Sequence, residues 1–115
     1  MSDPAPIFPK TYDLLTWLIP HTLHFPRSQR FVVTKRLQDA LLDFQEHIIE
    51  ANRVRGAARV ALLKQADGDL DKVRLYLRLA KRWAWLDEGQ YRHVSLMVQE
   101  IGKMLGGWIK KSAGT

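Results

Sequence analysis

The sequence predicts an all-α protein, an antiparallel up-down four-helix bundle. Three observations carry this prediction. Four segments place apolar residues three and four apart, the period of a helix with one buried face. Pro26, Gly56 and Asp87 punctuate the chain between segments, so the connections are short and sequential helices run antiparallel. No stretch alternates apolar and polar residues as a half-buried strand does, and no Asn-Gly hairpin turn occurs.

The first helix is expected from about Lys10 to His24, with Leu14, Leu15, Trp17, Leu18 and Ile19 apolar and Pro20 kinking it or ending it early. The prolines before it predict an irregular arm over residues 1–8. Pro26 is expected in the first turn of the second helix, where its missing N–H costs little. That helix buries Val33, Leu37, Leu41, Phe44, Ile48 and Ala51 and stops near Arg55-Gly56.

The third helix is expected from about Ala57 to Leu86. Asp67-Gly68-Asp69 has the composition of a turn. Leu63, Ala66, Leu70, Val73, Leu77, Ala80 and Ala84 nevertheless keep one phase through the glycine, which predicts a single long helix weakened there by about 1 kcal/mol. Asp87 and Gln90 form a capping box for the fourth helix. Tyr91, Val94, Val98, Ile101, Leu105 and Trp108 line its seam, and it ends near Lys110-Lys111, where cations favour the helix dipole. The bundle is thus expected over residues 9–111, with a tail at 112–115.

A chain of 115 residues is the size of one domain, and 46% hydrophobic with 26% charged residues lies in the globular range. There is no cysteine, which excludes disulfides and thiolate chemistry and fits a reducing compartment. No segment is apolar enough to span a bilayer, and the N-terminus lacks the layout of a signal peptide. A cytoplasmic protein without a membrane partner is expected.

The net charge of +6 is unevenly placed. Residues 1–52 carry 5 Lys/Arg against 6 Asp/Glu, residues 53–82 carry 9 against 3, and residues 83–115 carry 4 against 3. An excess concentrated in one segment points to a polyanion partner. Arg74, Arg78, Lys81 and Arg82 occupy adjacent turns of the third helix, and Arg53, Arg55 and Arg59 cluster at its start. Arginine forks match phosphate oxygens, and no base-reading motif accompanies them, so backbone-directed, salt-sensitive nucleic-acid binding is expected at these seven residues. The same face also fits an oligomeric protein-interaction scaffold that meets an acidic partner.

Catalytic and metal chemistry find little support. Asp67-Gly68-Asp69-Leu70-Asp71 begins like a calcium loop, but Lys72 and Arg78 stand where the tight-turn glycine and the bidentate glutamate belong. His21 and His24 lack a third ligand nearby, and His47 and His93 are isolated in sequence. Asp39, Asp43, Glu46 and Glu50 form an acidic stripe on the second helix, without the Glu-x-x-His spacing of a bundle metal site. No nucleophile–base signature or phosphate loop is present. No catalytic residue, metal or cofactor is expected, and the protein is read as not an enzyme.

Surplus apolar residues predict self-association. Trp83 and Trp85, about 200° apart if helical, cannot both enter one core. Met97, Met104 and Ile109 flank the fourth seam, and Gly106-Gly107 weakens that helix unless a neighbour approaches closely. Trp83, Trp85, Met97, Met104 and Trp108 are the expected oligomer-interface residues.

The runs Tyr12-Asp-Leu-Leu-Thr-Trp-Leu-Ile, Phe25-Pro-Arg-Ser-Gln-Arg-Phe31, Leu75-Tyr-Leu-Arg-Leu-Ala80, Gln90-Tyr91 and, most specifically, Glu100-Ile-Gly-Lys-Met-Leu-Gly-Gly-Trp-Ile109 resemble the Avd family, the accessory variability determinants of diversity-generating retroelements. The resemblance spans about Ile7 to Lys110, and Trp83-Ala-Trp85 and Gly68 depart from it. Avd proteins sit within a wider four-helix-bundle set that includes proteins encoded in ribosomal RNA intervening sequences. The resemblance implies a homopentameric barrel of bundles with a positive surface. It further implies binding to the element's reverse transcriptase and template RNA in support of error-prone cDNA synthesis, without catalytic activity.

Overall fold

A computed structural model describes residues 5–114, among which four α-helices form a bundle: α1 (Ile7–His21), α2 (Val33–Asn52), α3 (Gly56–Arg82) and α4 (Glu88–Ala113). Each helix packs on the next and α1 closes against α4. Cross-contacts show the antiparallel sense. Phe8 meets Trp108 while Trp17 meets His93, and Ala51 sits by Arg59 while His47 meets Asp69. The core is the set of seams read from the spacing, including Leu37, Leu41, Phe44 and Ile48 of α2, Leu63, Leu70, Val73 and Leu77 of α3, and Val94, Ile101 and Leu105 of α4. Each such side chain contributes about 1.5–3 kcal/mol by leaving water.

Helix α1 starts at Ile7, inside the segment expected to be irregular. Pro6 is its N-cap and Pro9 lies in its first turn, where helical N–H groups have no partner, so the prolines do not disturb it. Ile7 is buried and Phe8 packs edge-on to Trp108. The remainder of the expected arm, residues 1–4, and Thr115 of the expected tail lie outside the described residues. Pro20 stays within α1, which ends one residue later and tightens into a 3-10 turn at Thr22–His24. Gln38 of α2 donates to the Thr22 hydroxyl at 2.9 Å and ties this turn to the bundle.

Pro26 is not in the first turn of α2. It precedes a separate 3-10 turn, Arg27–Gln29, and α2 begins only at Val33. The reason is Phe25, which is buried against Trp85 and holds the chain at the bundle end, so residues 26–32 must cross from α1 to α2. Val33 itself is half-buried, and Thr34 takes the buried position.

Helix α3 runs without a break through Gly68, where an added Cβ would meet nothing within 4 Å. The glycine faces away from the seam, so apolar phase decides over turn composition. One turn of the same register carries Asp69 inward: its side chain is 7% exposed and its Oδ2 lies 2.5 Å from His47 Nδ1. His47 is therefore partnered across the α2–α3 interface and not isolated.

The two ends of α3 are held differently. At its start, Arg59 Nε donates to the Ala51 carbonyl in the last turn of α2 and to the Val54 carbonyl in the connection after it, at 3.0 and 2.8 Å, and its guanidinium lies over the Trp108 ring. At its end, α3 stops at Arg82, short of the expected Leu86. Ala84 leaves the seam and takes a left-handed conformation (φ +61°), and the Trp85 and Leu86 N–H groups both donate to the Ala80 carbonyl. This reversal returns Leu86 to the core. It closes the helix in the manner that usually employs glycine. Helix α4 then opens with the expected capping box, Gln90 N–H on Asp87 Oδ1 at 2.7 Å and Asp87 N–H on Gln90 Oε1 at 2.9 Å.

Two outcomes test this account of α3. Arg59→Ala should destabilise the protein by about 2 kcal/mol in urea denaturation, because two carbonyls lose a charged donor and Trp108 loses its cover. A residue acting only in ligand binding would leave the midpoint unchanged. Ala84→Gly should raise stability by up to about 1 kcal/mol, since relief of left-handed strain outweighs the added unfolded-state entropy.

Candidate nucleic-acid interface

Turning the α3 seam inward fixes where its basic residues emerge. Arg74 and Arg78 flank the seam on the α4 side, one turn apart. They border a groove of about 450 Å³ between α3 and α4, lined also by Leu77 and Val98 on its floor and by Tyr91, Ser95, Gln99, Gly102 and Lys103 of α4. Arg74 lies across Gly102, where an added Cβ would come within 2.6 Å of its Nη2. Its Nη1 also pairs with the exposed Asp71 at 2.8 Å. Lys81 is drawn aside, 3.6 Å from Glu88 and over the Tyr91 ring. Arg82 is exposed in the last turn of α3.

The seven expected binding residues therefore do not form one patch. Arg53 and Arg55 are exposed at the opposite end of the bundle, about 35 Å from Arg78 along the α3 axis. Arg59, beside them, is half-buried and engaged by α2 and Trp108. Lys103 joins the groove from α4 and was not among the expected residues. Its signal in the sequence is its place two residues after the seam residue Ile101, on a helix flank, outside the segment 53–82 where the charge excess lies.

The apolar surface also differs from expectation. Trp108 is 3% exposed and belongs to the core, and Trp85 is half-buried against Phe25. Both tryptophans of the Trp83-Ala-Trp85 run lie in the turn after α3, so the 200° argument for a helix does not apply to them. Their rings contact each other, with Trp83 half-exposed. Met97 and Met104 are partly buried against the core. The most exposed large apolar groups are Leu23 and Phe31, each 80% exposed, followed by Tyr12 and Leu96, with Val32, Trp83, Ile49, Leu42 and Leu75 about half-exposed. An added Cβ at Gly106 would meet nothing within 4 Å, so no helix of the same protomer approaches it.

Some of the remaining polar candidates resolve into structural contacts. Asp67–Asp71 is helical, not a loop. Asp39 pairs with Lys35, while Asp43, Glu46 and Glu50 are exposed and make no ion pair among the described residues. His21 stacks on Trp17, and His93 leans on the same ring, so His93 is also not isolated. Among the described residues, no three His, Asp or Glu side chains come together as metal ligands. No helix of the described residues is long and apolar enough to cross a membrane.

The fold is shared with a solved protein of unknown function from the S23 ribosomal protein family of Bacteroides thetaiotaomicron VPI-5482. That structure superposes with a TM-score of 0.83 at 19% identity, over 93% of this chain and 97% of that one. No curated protein matches the chain. A family model described as bAvd-like matches residues 7–112, nearly all of the bundle. The chain belongs to the bAvd-like family.

Proposed function

We propose that this protein is a non-catalytic accessory factor of a diversity-generating retroelement. In this reading it binds template RNA or its cDNA together with the element's reverse transcriptase and supports mutagenic cDNA synthesis. Family membership supports the accessory role. The observation that carries nucleic-acid binding is the charge excess of residues 53–82, displayed at both ends of α3 by Arg53 and Arg55 and by Arg78 and Arg82. Cations spread over about 35 Å suit a phosphate backbone, which offers charge along its length, and give affinity without base recognition.

The same reading includes self-assembly into a homopentamer, which would display the α3 cations several times over. The exposed Leu23, Phe31 and Val32 at one end of the bundle and Leu96 on α4 are apolar surface that assembly would cover. These residues replace Trp108 as candidates for the contact.

Gel-shift titration with single-stranded RNA at several salt concentrations tests the reading. Reversing Arg78 and Arg82 to Glu should weaken binding by at least about tenfold at low salt and lower the salt slope by about two. Reversing Arg53 and Arg55 should act in the same direction. Affinity that is unchanged in both double variants, or an acidic polypeptide bound as tightly as RNA, would count for a protein-interaction scaffold instead. Sedimentation at the 13.3 kDa monomer mass would remove the pentamer.

A further inference from the structure

The connection from α1 to α2 closes over a small cavity at the bundle end. Its volume is about 80 Å³, and Thr22, Phe25, Arg27, Arg30, Thr34 and Gln38 are among the residues that line it. Such a space is several times what one water needs and far below a drug-sized ligand site, about 300–1,000 Å³.

The polar chemistry of this cavity is unfinished. Thr34 is 6% exposed, and its Oγ1 is buried with no hydrogen-bond partner among the described residues. Thr11 Oγ1 and Gln45 Oε1 share that condition away from this cavity. A buried hydroxyl left without a partner costs free energy, so it calls for an occupant that can meet it. The other hydroxyl of the cavity is already satisfied, since Thr22 donates to the Ile19 carbonyl and accepts from Gln38. Arg27 and Arg30, in and just after the 3-10 turn, are exposed and form no ion pair among the described residues.

The start of α2 adds positive charge at the same place. No side chain caps it, so its first N–H groups lack the usual acceptor. Its first turn holds no acid and carries Lys35 and Arg36, the reverse of what the positive end of a helix dipole favours. No acidic residue lines the cavity either. A compact anion with several acceptor oxygens would complete this set of donors. We infer that the cavity binds one phosphate group, which accepts from Thr34 Oγ1 and from the Arg27 and Arg30 guanidinium groups beside the start of α2.

The volume leaves no room for a nucleoside beside the phosphate, so the group is free orthophosphate or the terminal phosphate of an RNA strand. Trp85, against which Phe25 packs, follows Arg82 by three residues, so a strand held by that arginine lies at the same end of the bundle. The strand-end form rests on the nucleic-acid reading, and the free-ion form does not.

Calorimetric titration of the full chain with sodium phosphate, against sodium chloride at matched ionic strength, tests the inference. Orthophosphate should saturate one site per chain. Thr34→Val, Arg27→Gln and Arg30→Gln should each weaken it by about tenfold. Thr34→Val should melt no lower than the parent in phosphate-free buffer, because it removes an unpartnered hydroxyl, so its loss of binding is not a loss of fold. Reversing Arg53 and Arg55 should weaken RNA binding and leave orthophosphate unchanged, which separates failure of the nucleic-acid reading from failure of this site. An oligoribonucleotide with a 5′-phosphate, compared with the same strand ending in a hydroxyl, distinguishes the two sources. A gain from the 5′-phosphate that Thr34→Val abolishes assigns the site to strand ends, and equal affinity of the two strands with orthophosphate still saturating assigns it to the free ion. No saturable orthophosphate binding up to about 10 mM would overturn the assignment. So would orthophosphate affinity unaffected by both Thr34→Val and Arg30→Gln, which would leave Thr34 as a hydroxyl satisfied by water.

Discussion

The uninterrupted apolar seam of α3 is the constraint on which the rest of the molecule depends. Helix α3 is the longest of the four, and it packs on both α2 and α4. Its register determines everything that faces away from those neighbours. Keeping Leu63, Ala66, Leu70, Val73 and Leu77 in one phase turns Gly68 outward, draws Asp69 in to meet His47, and sends Arg74 and Arg78 to the α4 flank. A loop at Asp67-Gly68-Asp69 would have reset that phase and separated the cations from the groove. Hydrophobic burial from Leu63 to Ala80, about five turns, outweighs the local preference of one glycine, about 1 kcal/mol.

The helix ends show how the bundle is closed without long loops. Arg59 uses its charge internally, capping α2 and covering Trp108, which removes it from the surface. Ala84 reverses the chain in a conformation that glycine adopts more cheaply, and Leu86 and Trp85 gain burial by that reversal. Phe25 packs against Trp85, so the turn between α1 and α2 and the turn between α3 and α4 stabilise one another at the same end of the bundle.

Function follows from what the closed bundle leaves outside. The fold and the bAvd-like family are settled by packing pattern and by sequence similarity over residues 7–112. The proposed role rests on surface chemistry, cations at both ends of α3 for a long polyanion.

Most of the fold was legible in the sequence. Periods of three and four located the seams of α2, α3 and α4, the Asp87–Gln90 capping box was readable as a motif, and the phase of α3 overrode Gly68. Much less of the site was legible. The sequence determined that cations are concentrated in residues 53–82, because charge is a property of composition. Only the tertiary structure decided that Arg59 faces inward, that Trp108 is core, that His47 meets Asp69, and that Lys103 of α4 borders the same groove as Arg74. Helical periodicity specifies which residues share a face within one segment. Which faces of two distant segments meet depends on packing across the bundle, and a sequence read along one chain carries that information only after the helices have been brought together.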